Sequence, residues 1–118
     1  EGVNRMLIQT RTITVKAGYA DQVVQRFSRP DHPMAAIPGF IDLSVMVKKA
    51  RKNEEQEEVV VLVRWESEEA WKTWEKSPAH IEGHRNARHQ EKPDFILSTV
   101  VSMYEVKAVT LPKAQAQS

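Results

Sequence analysis

The run Val59-Val-Val-Leu-Val-Arg-Trp65 constrains this chain more than any other stretch. A half-exposed strand alternates apolar with polar residues, and this run barely does, so it predicts a strand buried on both faces. It cannot be a membrane span, because the longest apolar runs are about five residues and a helix needs ~20. A doubly covered strand needs partners on either side and layers above and below, and the flanking sequence supplies them.

Upstream, Met6 to Val15 is rich in β-branched residues and reads as a strand. After Gly18, the residues Ala20, Val23, Val24 and Phe27 fall on one helical stripe. Pro30, Pro33 and Pro38-Gly39 keep the next stretch irregular, with His32 inside it. Phe40 to Val47 alternates as a second strand, and the mixed charges of Lys48 to Glu58 read as a solvated hairpin loop serving solubility. Downstream, Ser67 caps a short helix whose first turn carries Glu68 and Glu69, favourable to its dipole. Ser77-Pro78 starts another helix, reaching to about His89, and Phe95 to Val106 is a final strand.

The order β-α-β-β-α-α-β predicts an α+β class: a ferredoxin-like antiparallel sheet with helices on one face. A length of 118 residues fits one domain, over 1–108, followed by a flexible C-terminal tail, 109–118. Strands apolar on both sides leave the second sheet face needing cover. A symmetric homodimer whose two sheets form a dimeric α+β barrel would provide it.

Composition narrows the function. With 17 basic against 16 acidic residues there is no long-range field, so nucleic acid and membrane are not expected partners. The absence of cysteine excludes disulfides, thiolate metal sites and thiol nucleophiles. No phosphate loop, nucleotide fingerprint or serine-hydrolase elbow occurs. No leader pattern is apparent, which makes a cytoplasmic protein the expectation.

The informative chemistry lies in Trp74-Glu-Lys-Ser77-Pro78-Ala-His80-Ile-Glu-Gly83-His84-Arg85. The helix after Pro78 has almost no aliphatic side chains, and Gly83 weakens it by ~1 kcal/mol relative to alanine. A weak helix carrying His84 directly after a glycine suits a flat ligand that comes close and takes the imidazole. Heme is such a ligand, and a proximal histidine is the usual way a protein holds its iron. The plain alternative is a half-exposed surface histidine. His80 and His84 also make the H-x-x-x-H spacing of a zinc site, which would need His89 or Glu82 as well. The metalloprotease signature fails, because Ile81 stands where its glutamate must be. Trp65 and Trp71 read as core. Trp74, just before the helix break, is placed to form one wall of a crevice opposite the histidine helix. Arg85 and Arg88 are candidates for propionate contacts, with solvated surface arginines the alternative.

From Val59 through Trp65, Ser67, Trp71, Trp74, Ser77, His80 and Gly83 to His84 the chain resembles the heme-degrading monooxygenases of the IsdG and HmoA type, most of all the HmoA branch of bacilli. These belong to the antibiotic-biosynthesis-monooxygenase superfamily of dimeric α+β barrels. The likeness spans about Met6 to Lys107, and a tryptophan followed ten residues later by a histidine is its most specific local pattern. The resemblance implies that Trp74 presses on the porphyrin and bends it, and that His84 is the proximal iron ligand. It implies heme as substrate and cofactor with no other metal, and oxidative ring opening with release of iron. O₂ and electrons from an external donor or reductase would drive it. IsdG-type members carry an asparagine in the first strand, beside the distal ligand. Matching Arg11–Lys16 to that strand puts Thr10 there, with a hydroxyl but without the amide's donors or reach. A heme-storing dimer, or a cofactor-independent monooxygenase of a polycyclic phenol, are the competing expectations.

Overall fold

The structure, a computed structural model, describes residues 6–49, 54–88 and 93–113. Among them four strands form one antiparallel sheet in the order β2-β3-β1-β4: β1 (Leu7–Lys16), β2 (Phe40–Val47), β3 (Gln56–Trp65) and β4 (Ile96–Glu105). The helices are α1 (Ala20–Phe27), α2 (Glu68–Glu75) and α3 (Pro78–Arg88), and a short 3-10 turn, Pro33–Ala36, precedes β2. This is the ferredoxin-like α+β arrangement expected from the order of elements.

β3 lies inside the sheet, hydrogen-bonded to β1 and β2. Its residues Val59, Val61, Val63 and Trp65 are buried, with Val59 and Trp65 fully so. Leu7, Ile13 and Val15 of β1 join them, with Val23 of α1 and Ala70 and Trp74 of α2 packed above. The alternate residues Val60, Leu62 and Arg64 are only half-buried. Within one subunit the apolar run is therefore covered on one face, not on both. Among the described residues the core helices pack on that face.

Two contacts fix the helices to the sheet. Tyr19, at the N-cap of α1, offers no side-chain cap. Glu57 of β3 does the capping from a distance, its Oε1 accepting from Gly18 N at 2.7 Å and Ala20 N at 3.2 Å. The charged run is thus not only a solubility device: its last residues, from Gln56, are strand, and Glu57 anchors a helix. Residues 50–53 of that run lie outside the described residues. For α2, Ser67 Oγ accepts from Ala70 N at 3.2 Å, as expected of its cap. Gly39 adopts φ +95, and a Cβ there would lie 2.5 Å from Ala70 Cβ, so only glycine lets the turn before β2 touch α2.

The far face carries Asp42 of β2, which pairs with Arg64 through two hydrogen bonds of 2.8 and 2.5 Å. That pairing holds the Asp42 carboxyl below its ordinary range. Elsewhere on this face Met46, Val100 and Tyr104 are exposed, Val100 by 56%. β4 is exposed on its other face as well, at Val101 and Met103. Of the expected tail, Val109 and Leu111 are exposed and residues 114–118 lie outside the described residues.

Candidate active site

The site grows from the junction of α2 and α3. Ser77 Oγ donates to the Trp74 carbonyl at 2.7 Å and accepts from His80 N at 3.2 Å. It ends one helix and caps the next, and Pro78 at the first helical position has no N–H to leave unpaired. This turn directs Trp74 into the core, 6% exposed, while the following turns bring His80, Gly83 and His84 to one cleft.

The cleft has a volume of about 380 Å³, in the range of small-molecule sites. Its sheet side is Leu43, Val61 and Val63, with Gln9 and Arg11 from β1. Phe27 and Met34 add apolar surface, and α2 and α3 contribute Trp74, Glu75, Ala79, His80, Gly83 and His84. Gly83 meets nothing within 4 Å of where a Cβ would stand, so the fold itself does not demand glycine there. A side chain would take up space that the cleft now has.

A string of rings runs through the site. His32 lies 5.8 Å from Trp74, Trp74 lies 5.0 Å from His80 and His80 lies 4.4 Å from His84, centre to centre. The last two contacts are edge-on, at 65° and 74°. Trp74 and His84 do line one cleft, but His80 touches both. The sequence picture of two facing walls omitted this linking ring.

His80 is the best-held of the three imidazoles. Its side chain is 16% exposed and its Nε2 lies 3.2 Å from Glu75 Oε2. Burial lowers its pKa, and nearby His84 and Arg11 act in the same direction against the raising influence of Glu75. At neutral pH it is therefore uncharged and donates Nε2–H to the carboxylate. His32 is similar: burial and Arg29 push its pKa down against Asp31, and its Nδ1 accepts from Met34 N at 3.1 Å. His84, by contrast, is exposed and makes no hydrogen bond among the described residues. Its ring nitrogens are free to bind something else.

The other expected residues fare differently. Thr10 is not in the cleft. It pairs with Leu62 and Ser102 on the far face, while its neighbours Gln9 and Arg11 face the cleft. Side chains alternate along a strand, so a match displaced by one residue selects the wrong face. Arg88 belongs to α3, but its side chain lies outside the described residues, as does His89. Glu82 pairs with Arg85 at 3.4 Å on exposed surface. With Glu82 there and His80 Nε2 on Glu75, the zinc reading has no ligand set among the described residues. Trp65 and Trp71 pack with the core as expected. Sequence reasoning missed Glu75 and the place of His32, and undervalued His80. The signal available was the five-residue step from Glu75 to His80 across a helix break.

Residues 6–86 match the family model described as antibiotic biosynthesis monooxygenase. The chain belongs to that family. Its relatives include the Bacillus subtilis protein "Heme-degrading monooxygenase HmoA", 50% identical over 88% of this chain and 94% of its own. A solved structure of a family protein from Bacillus cereus is 44% identical with a TM-score of 0.79, covering 92% of this chain and 99% of its own. MhuD of Mycobacterium tuberculosis, a heme-degrader solved with two hemes in its active site, is 28% identical with a TM-score of 0.62. That match covers 88% of this chain and 98% of MhuD. In this monooxygenase-family chain, the matched span takes in every described residue of the cleft identified above.

Proposed function

We propose that this protein is a heme-degrading monooxygenase, acting on heme in the cleft between α3 and the sheet. One observation carries the reading: an exposed imidazole, His84, without a hydrogen bond among the described residues, borders a largely apolar cleft that also contains a buried indole. Among the described residues no three His, Cys, Asp or Glu side chains gather as a metal cage. A single imidazole suits an iron that brings its own equatorial nitrogens, as in a porphyrin. The relatives named above for heme degradation support the same reading.

Each residue has a task. His84 is the proximal ligand. Trp74, fixed in the core and in edge-on contact with His80, would be the rigid wall pressing on a bound macrocycle. Leu43, Val61 and Val63 give the plane an apolar seat and keep water from it. Glu75 holds His80, and His80 in turn limits the tilt of His84, as outer partners do around metal-bound histidines. Heme, when bound, would supply the activation of O₂ and be the species oxidised, with electrons from an external donor and iron as a product. A homodimer completes the molecule, because the exposed Met46, Val100 and Tyr104 give the uncovered sheet face an apolar surface to bury.

Hemin titration tests the proposal, with a Soret band of the bound pigment as the expected result. Reductant and oxygen should then bleach that band and liberate iron. Retention of the band identifies a storage protein instead, and no band at all sinks the heme reading. His84→Ala should shift the band and lower turnover at least a hundredfold, an expected loss of roughly 3 kcal/mol in barrier stabilisation.

A further inference from the structure

Arg11 is a charge in the wrong surroundings. It stands on β1 opposite Val61 of β3 and Val101 of β4, and it lines the cleft. It is half-buried, and it has no ion-pair or hydrogen-bond partner among the described residues. The other arginine of the cleft, Arg29, is paired with Asp31 at 3.5 Å. The one carboxylate lining the cleft, Glu75, is already engaged by His80. A guanidinium partly withdrawn from water over apolar side chains is costly unless something compensates it. No carboxylate of the described cleft is left to pair with it, so its guanidinium is available to an anionic group of a ligand.

We propose that Arg11 is the anion-receiving residue of the cleft, its guanidinium closing on a negatively charged group of the bound heme complex. The planar fork of arginine donates two hydrogen bonds at once and suits an oxyanion or a carboxylate. Two groups have that chemistry here: a carboxylate on the porphyrin rim, or a small anion on the iron opposite His84. Arg11 comes from the sheet and His84 from α3, so both sources are within the scheme. The inference rests on the heme reading, and it assigns the β1 role to Arg11 rather than to Thr10.

The experiment compares the parent protein with Arg11→Gln and Arg11→Lys, each first checked by near-UV circular dichroism for a native fold. Hemin and its dimethyl ester are titrated by Soret absorbance, and azide is titrated into the ferric complexes. If the partner is a rim carboxylate, Arg11→Gln weakens hemin about tenfold or more and leaves the ester unchanged. If the partner is the axial anion, hemin binds as before and azide affinity falls by a similar factor. Arg11→Lys, which keeps charge but loses the fork, should fall between. Parent-like affinities of Arg11→Gln for all three ligands overturn the inference while leaving the heme reading intact. Equal weakening of all three, the ester included, also overturns it, since that marks a packing defect. A parent that gives no Soret band removes the heme reading and this inference together.

Discussion

At the scale of single residues, a hydroxyl and two half-buried imidazoles hold the site. Ser77 bonds to both neighbours of the break, so Ser77→Ala removes one helix cap and one tie to Trp74 at once. We expect a loss of ~1 kcal/mol in urea-denaturation stability, together with a weakened hemin complex. His32 and His80 both take up protons less readily in the fold than the ordinary 6.5 of the unfolded chain. Between pH 6.5 and their folded values the unfolded chain binds more protons, so acidification favours unfolding. Stability should be full above about pH 6.5 and decline as the pH falls below it. Urea curves at several pH values check this, and His80→Gln should flatten the slope.

The same residues show what was legible in advance. Trp74 and His84 stood out because a tryptophan, a serine-proline break and a glycine-histidine pair are each unusual, and together they leave few structural explanations. Thr10 was misassigned because β1 mixes threonine on one face with apolar and charged residues on the other. The cleft face itself carries Gln9 and Arg11, so hydrophobicity did not identify it. His80 was undervalued because its partner, Glu75, lies on a different helix.

Among the elements, α3 contributes least to the core, and the proposed function gives it its role. Its residues from Ile81 to Asn86 are exposed, and Ile81 finds no core to enter. Gly83→Ala therefore has opposite consequences for folding and for binding. The helix should gain up to ~1 kcal/mol, because the new methyl meets no atom within 4 Å. The methyl also enters the cleft, and hemin affinity should fall. Thermal melting and a Soret titration on the same variant read the two effects separately. Element types and order followed from sequence because apolar spacing decides them. The anchoring of α1 by Glu57 did not, since a charged residue in a charged run gives no hint of a backbone partner 37 residues away.

For the whole molecule the uncovered sheet face is decisive. Val59–Trp65 reads as a strand buried twice over, and one subunit covers it only once. The proposed dimer accounts for the mismatch, because sequence patterning would then record burial in the assembly while a single chain displays only its own. Val100→Asp should shift the proposed dimer toward monomer in sedimentation or size-exclusion measurements. A charge introduced at a surface that a partner covers disfavours pairing. An unchanged dimer would place the contact elsewhere.

Because one serine oxygen joins the backbone of the indole residue to that of the neighbouring imidazole residue, a shift of the one is expected to carry the other. On the proposed function, a guest that displaces the tryptophan should also tilt the ring packed against the proposed iron ligand. Vibrational bands of the iron–nitrogen bond should thus register a change made to the indole several ångströms away.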